Sequence, residues 1–209
     1  MITAFYIIVL LFSVILHEIA HGYIALRLGD TTARDAGRLT LNPIKHIDLF
    51  GTIILPLLFV MVGAPVFGWA KPVPYDPRFL KNPQKASGLI ALAGPATNFS
   101  LAIFFALISR IVILFPLDQF LSTFYLFLAV IVQVNIALAI FNLLPIPPLD
   151  GSGVLFSVLP RGTERMQAVL HRYGFILLIA LIYMGLDFLH PAMDYLYKML
   201  LGPASPIFL

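Results

Sequence analysis

The 209-residue sequence contains no cysteine and few charged residues, and both shortages restrict its function. A chain without cysteine has no disulfide bonds, no thiolate metal ligands and no cysteine nucleophile. Asp, Glu, Lys and Arg together make up 11% of the residues, whereas soluble proteins contain about 25%. Hydrophobic residues make up 60% of the chain, and the mean hydropathy is +0.98. This composition predicts a polytopic membrane protein and gives no indication of nucleic-acid binding.

Four apolar runs are long enough to cross a hydrocarbon core of about 30 Å. They lie at about 3–26, 87–110, 122–144 and 173–190. A fifth apolar run, 50–68, is interrupted by prolines and glycines. This fifth run either spans the membrane or re-enters it and returns to the same side.

The distribution of basic residues favours a re-entrant 50–68 segment. With four crossings, only Arg110 and Lys198 lie on one side of the membrane. The other side then holds Arg27, Arg34, Arg38, Lys45, Lys71, Arg78, Lys81, Lys85, Arg161, Arg165 and Arg172. Because an excess of Lys and Arg marks the cytoplasmic side, we expect this side to be cytoplasmic and both termini to lie outside.

The first apolar run contains three ionisable residues in the pattern HExxH: His17, Glu18 and His21. Histidines at positions i and i+4 lie on one helix face and can bind one Zn²⁺, with the glutamate as general base. Ionisable groups inside a membrane helix are costly and usually mark function. A chance match would bury all three side chains without a purpose, so the pattern predicts a metal site within the membrane.

A catalytic zinc site needs three protein ligands and one open position. Asp150 is the leading candidate for the third ligand, in the segment Asn142-Leu-Leu-Pro-Ile-Pro-Pro-Leu-Asp150-Gly151. The prolines break the helix there, and Gly151 permits a close backbone approach. The alternatives are that Asp150 is a turn or capping residue, and that Glu164, the only glutamate besides Glu18, is the third ligand.

Residues 37–42 alternate apolar and polar side chains and end before a proline. This pattern predicts a short edge strand. An edge strand could bind an extended peptide, which would pair with it as a further strand. Gly37, Leu39 and Leu41 are therefore candidate substrate-binding residues.

The HExxH motif and the distal NLLPIPPLDG segment together resemble the site-2 protease family of M50-type intramembrane zinc metalloproteases. The segments GPATN at 94–98 and GWAKPVP at 68–74 resemble a compact prokaryotic branch without a PDZ domain, and the matching motifs extend over about 17–153. The resemblance implies a catalytic set in which zinc is bound by His17, His21 and Asp150, the base is Glu18, and the substrate or oxyanion is contacted by Asn142.

Asn98, in the GPATN segment, is a further candidate substrate-binding residue. Asn98 and Asn142 could instead serve as hydrogen-bonding groups between membrane helices. His46 lies in a loop beside the membrane face, where a structural role is more common than metal binding.

These residues and the resemblance predict an all-α polytopic membrane protein with about four transmembrane helices, a re-entrant segment and a small β element. We expect a single metalloprotease domain over 1–209, with a catalytic core at about 3–153 and C-terminal helices at about 154–209. The expected activity is that of a zinc metalloendopeptidase with one Zn²⁺ per chain.

The expected reaction is regulated intramembrane proteolysis at the cytoplasmic side of a prokaryotic plasma membrane. The expected partners are a transmembrane protein or peptide substrate and the lipid bilayer, and oligomerisation is possible. Two alternatives are a membrane zinc or ion transporter and a catalytically silent scaffold. The zinc-binding pattern and the lack of an internal repeat disfavour the transporter, and the complete residue set disfavours the scaffold.

Overall fold

The computed structural model describes residues 2–63, 68–116, 118–160 and 162–202, which contain helices and no β-strand. Short 3-10 turns and one π-helical stretch, Leu49–Ile54, connect the α-helices. The α-helices in this part of the chain are α1 Ile2–Arg27, α2 Thr32–Asp35, α3 Leu55–Met61, α4 Pro83–Val112, α5 Gln119–Asn142, α6 Asp150–Val158, α7 Glu164–Met184 and α8 His190–Leu201.

Four of the described helices, α1, α4, α5 and α7, are long and apolar enough to cross a membrane. The predicted all-helical architecture with four candidate spans is therefore confirmed. The last span begins and ends earlier in the chain than the predicted 173–190. Helix α7 begins at Glu164 and ends before Gly185, whose φ of 96° stops the helix. Arg161, counted above with the cytoplasmic basic residues, lies outside the described residues.

Helices α4, α5 and α8 share a core of mostly small side chains. Small residues allow membrane helices to approach closely. The buried members are Ala102 and Ala106 of α4, Ala129, Val132 and Ile136 of α5, and Tyr197 and Leu201 of α8. At one end of this core, Arg110 donates hydrogen bonds to the carbonyl oxygens of Met199 and Leu200, both at 2.7 Å. These carbonyls lie in the last turn of α8, where intrahelical donors are lacking.

The apolar segment predicted to be re-entrant begins with the π-helical stretch and continues directly into α3. These 13 residues, Leu49–Met61, form an apolar helix that is shorter than the four spans. Residues 64–67 lie outside the described residues. The Trp69 N–H donates to the Gly51 carbonyl oxygen at 3.1 Å, and the Thr52 hydroxyl donates to the Trp69 carbonyl oxygen at 2.8 Å. The chain therefore returns to the start of the segment after leaving it.

The β-strand predicted for residues 37–42 is wrong. Gly37 has a φ of 63° in a turn after α2, and the residues that follow it form no strand. Local side-chain bonds occupy the backbone there: Thr40 accepts from His46 Nε2 at 2.8 Å on its carbonyl oxygen and from the Asn42 N–H at 3.2 Å on its hydroxyl. Such bonds compete with ladder formation. Polar–apolar alternation here reflects a folded loop and not a sheet edge.

Candidate metal centre

The structure brings His17 and His21 of α1 together with Asp150, the first residue of α6. One ligand atom from each lies within 4.8 Å of the others. The Asp150 carboxylate is 2.9 Å from His17 Nε2 and 3.4 Å from His21 Nε2. Nitrogen and oxygen ligands of one tetrahedral zinc lie roughly 3.4 Å apart, given bond lengths of about 2.0–2.2 Å. The three side chains therefore fit one zinc ion.

The backbone of α4 packs against both histidines at Gly94. A Cβ atom on Gly94 would lie 2.5 Å from His17 Nε2 and 2.6 Å from His21 Nε2. Both distances are far below van der Waals contact, so only glycine fits at this position. The close packing of α4 on α1 explains the glycine of the GPATN segment.

Helix α4 also supplies a hydrogen-bond acceptor to each histidine. His21 Nδ1 donates to the Ile90 carbonyl oxygen at 2.7 Å, and His17 Nδ1 bonds to Asn98 Oδ1 at 2.6 Å. Metal-binding histidines commonly donate their second ring nitrogen to a carbonyl or carboxylate, which fixes the tautomer and the ring orientation. Both rings therefore present Nε2 to Asp150.

The loop between α5 and α6 delivers Asp150 to the histidines. The helix ends at Asn142, and the proline-rich stretch returns the chain so that α6 begins at Asp150. A Cβ atom on Gly151 would overlap the Leu143 carbonyl group, which confirms the predicted close approach. Glu164, the alternative third ligand, is an exposed residue whose carboxylate accepts from the Gly162 N–H, and it is not part of the group.

Glu18 is held by a segment without regular secondary structure, residues 68–76, which we call the strap. The Val73 N–H donates to Glu18 Oε2 at 2.8 Å. The neighbouring Pro72 and Pro74 have no backbone N–H, so Val73 supplies the only main-chain donor of these three residues. The GWAKPVP sequence therefore has a direct structural connection to the proposed general base.

Other hydrogen bonds fix the strap on both sides of Val73. Arg38 donates from Nη2 to the Lys71 carbonyl oxygen at 2.6 Å, and the Lys71 N–H donates to the His46 carbonyl oxygen at 2.9 Å. The Asp76 N–H donates to the buried Asp30 carboxylate at 2.6 Å. Hydrogen bonds from Arg78 lower the pKa of the Asp76 carboxyl group from its ordinary value.

The remaining predicted site residues lie outside the metal-ligand group. Asn142 is half-buried at the end of α5, where Nδ2 donates to the Leu138 carbonyl oxygen at 2.9 Å. Gly37 is exposed in its turn, Leu39 lies against Gly22 of α1, and Leu41 is 55% exposed. Their predicted substrate contacts stay predictions.

Asn98 is fully buried, and two polar residues that are not among the predicted site residues extend its contacts. Asn98 Nδ2 donates to Asn135 Oδ1 at 2.9 Å, and Asn135 Nδ2 donates to Ser13 Oγ at 3.0 Å. A signal for them was present, because Ser13 lies four residues before His17 on the same helix face. Asn135 is likewise an amide inside an apolar span, where polar groups are costly.

Comparison with known proteins agrees with this geometry. The family model described as Peptidase family M50 matches residues 5–125 and 110–181. A protein of Bacillus subtilis named "Putative zinc metalloprotease YwhC" is 41% identical over 185 residues, which cover 84% of this chain and 78% of that protein. Proteins named "Putative zinc metalloprotease Rip2" from Mycolicibacterium smegmatis and Mycobacterium tuberculosis are 32% and 29% identical over 82% of this chain.

The chain spans 64% and 63% of the two mycobacterial relatives, slightly less than two thirds of their length. No solved structure gives a significant match. The zinc metalloprotease relatives and the grouped ligands together identify Zn²⁺ as the cofactor.

Proposed function

The chain belongs to peptidase family M50, and on this premise we propose that it is a zinc metalloendopeptidase that cleaves membrane proteins. Cleavage takes place within or close to their transmembrane segments, at the cytoplasmic side of a prokaryotic plasma membrane. The observation that carries the proposal is the meeting of His17, His21 and Asp150 within 4.8 Å, next to Glu18 on the same helix.

Each residue of the site has a role in this reaction. His17, His21 and Asp150 hold the zinc ion, one per chain. When bound, zinc supplies a Lewis acid for the scissile carbonyl group and for the attacking water. Glu18 takes a proton from that water and delivers it to the leaving amine. The hydrogen bond from Val73 holds Oε2 and leaves Oε1 for the proton.

The oxyanion of the tetrahedral intermediate needs a hydrogen-bond donor. Asn142 uses one Nδ2 hydrogen on the Leu138 carbonyl oxygen, and an amide has two. The second hydrogen is available for the oxyanion. Removal of such a donor typically lowers kcat by about 10²–10³-fold.

The substrate is a transmembrane protein or peptide that must unwind locally, because a helix hides its carbonyl groups in internal hydrogen bonds. The four apolar helices and the family membership support an integral membrane location. Regulated intramembrane proteolysis is the corresponding biological process.

The same proposal includes a re-entrant 50–68 segment, so that the chain crosses the bilayer four times. Two observations support it. Trp69 returns to Gly51 by a backbone hydrogen bond. His21 and Asp150 lie together, which agrees with an even number of crossings between them, α4 and α5. A spanning segment would add a third crossing, which would place His21 and Asp150 towards opposite sides of the membrane.

Single-cysteine labelling tests this topology, because the native chain has no cysteine to interfere. We expect Arg34→Cys and Lys85→Cys, both at exposed positions, to react with an impermeant thiol reagent from the cytoplasmic side. Gln119→Cys, exposed at the start of α5, should react only from the opposite side. Labelling of positions 34 and 85 from opposite sides would show that the segment spans.

Zinc removal tests the activity itself. We expect purified protein in detergent to cleave a generic transmembrane substrate, to lose this activity with a chelator and to regain it with Zn²⁺. Asp150→Ala should bind much less zinc, whereas Glu164→Ala should bind one equivalent like the wild type, because Glu164 is exposed and apart from the ligand group. Zinc content by mass spectrometry and cleavage by gel analysis provide the two readouts.

Three results would contradict the proposal. Undiminished cleavage after the bound zinc has been removed would exclude the metalloprotease mechanism. Loss of zinc in Glu164→Ala but not in Asp150→Ala would reverse the ligand assignment. Zinc flux into vesicles without any proteolysis would favour the transporter.

A further inference from the structure

We propose that Asn98, Asn135 and Ser13 are positioning residues that form a directional hydrogen-bond chain and hold His17 ready for zinc. This role presupposes the zinc site of the proposed function. The chain crosses three helices: Ser13 belongs to α1 with His17, Asn98 to α4, and Asn135 to α5.

All members of the chain are buried. Asn98 and Asn135 have no exposed surface, and Ser13 and His17 are 5% and 6% exposed. In the interior of a membrane protein, a polar group without a hydrogen-bond partner is energetically costly. Four polar groups from three helices therefore stay together only if their hydrogen bonds are complementary.

Two carbonyl groups determine the direction of the chain. A carbonyl oxygen can only accept, so the Asn135 atom 2.9 Å from the Ile131 oxygen is its nitrogen, Nδ2. Likewise, Asn98 Nδ2 lies 3.4 Å from the Ser13 carbonyl oxygen. The Asn135 oxygen consequently faces Asn98, and it accepts from Asn98 Nδ2 at 2.9 Å.

The direction of the chain determines the tautomer of His17. With its nitrogen committed to Asn135, Asn98 presents its oxygen to His17 Nδ1 at 2.6 Å. An amide oxygen only accepts, so Nδ1 carries the proton, and in the neutral ring Nε2 then keeps its lone pair. Nε2 is the atom that faces Asp150 at 2.9 Å. The chain therefore selects the tautomer that can bind the metal.

The two histidines are positioned by different means. The acceptor of His21 is the main-chain oxygen of Ile90, which no substitution removes. The acceptor of His17 is a side chain that depends on two further side chains. The zinc affinity of the site therefore depends, through His17, on how α1, α4 and α5 pack together. This dependence can be measured.

The test measures the zinc dissociation constant of the purified full-length protein in detergent, by competition with a chelator. We expect Asn98→Ala to bind zinc about 10–100-fold more weakly, the usual effect of removing a partner of a metal-binding histidine. Asn98→Asp keeps an acceptor for His17 and should recover part of the affinity. Ser109→Ala removes a buried hydroxyl of the same helix that donates to the Phe105 carbonyl oxygen, and its affinity should equal that of the wild type.

A double substitution distinguishes a chain from general packing. Asn135→Ala and Ser13→Ala should each weaken zinc binding less than Asn98→Ala does, because they act through Asn98. In the Asn98→Ala background, Asn135→Ala should cause no further loss of affinity, since coupled positions are not additive. The absorption spectrum of the Co²⁺-substituted protein should change in Asn98→Ala, because the orientation of one ligand changes.

The outcomes separate this role from the proposed function. Wild-type zinc affinity in Asn98→Ala, or full additivity with Asn135→Ala, would overturn the positioning chain alone. If Asn98→Ala does not fold, Asn135→Ala and Ser13→Ala decide: lower thermal stability with unchanged zinc affinity in both would also overturn it. A wild-type protein that binds no zinc would overturn both proposals.

Discussion

Replacement of Glu18 by glutamine is expected to reduce cleavage by about 10²–10⁴-fold, the range for loss of a general acid–base group, with zinc still bound. Glutamine has nearly the same shape and retains an oxygen that can accept from the Val73 N–H, 2.8 Å from Glu18 Oε2 in this structure. The substitution therefore removes proton transfer without releasing the strap. Single-turnover cleavage of a transmembrane peptide, together with zinc content, measures the two effects separately.

Asp194→Asn is a suitable control for this experiment, because Asp194 pairs with Lys198 at 2.7 Å on α8, outside the ligand group. It should cleave at the wild-type rate. Cleavage by Glu18→Gln at a comparable rate would show that another residue is the general base. Loss of zinc in Glu18→Gln would show that Glu18 acts on the metal site itself.

The second large effect is expected for Gly94→Ala. The added methyl group would lie 2.5 and 2.6 Å from the two Nε2 atoms, so the imidazole rings must move by roughly 1 Å. Displacements of this size can reduce catalysis by about 10²-fold, and here both proposed histidine ligands are displaced at once. We expect zinc content well below one equivalent and no measurable cleavage.

Helix propensity makes the result for Gly94→Ala easy to interpret. Alanine stabilises a helix interior by about 1 kcal/mol relative to glycine, so α4 itself is not weakened. Circular dichroism should show wild-type helix content. Ala96→Val adds volume on the exposed side of α4 and should keep its zinc. Full zinc occupancy in Gly94→Ala would contradict the close contact between α4 and the histidines.

The metal-ligand group could be predicted from the sequence because its residue types are specific. HExxH places two imidazoles on one helix face. Asp150 can be recognised as a further candidate ligand because it follows a proline break after a span. The four apolar helices could be predicted for the same reason, since hydrophobic length is a local property. The start of the last span was predicted too late in the chain, because the charged first turns of α7 resemble a loop.

The features that could not be predicted depend on contacts between distant residues. The predicted strand over 37–42 is wrong because the alternation of apolar and polar residues does not reveal that Thr40 bonds to His46 and Asn42. The contact of Asn98 with His17 joins positions 81 residues apart. An asparagine inside a span indicates a hydrogen bond between helices, but its partner becomes known only once the helices are packed.

The hydrogen bond between Val73 and Glu18 makes the alignment of the proposed general base depend on contacts made elsewhere in the chain. The only backbone donor within Pro72–Pro74 bonds to Glu18 Oε2, so a substitution that displaces the strap is expected to misalign Glu18 as well. Each loss of about 1.4 kcal/mol from the aligned arrangement lowers its population tenfold relative to misaligned ones. The strap's anchors Asp30, Arg38 and His46 all lie outside the four candidate spans, so substitutions there are expected to change the rate without altering the proposed metal ligands.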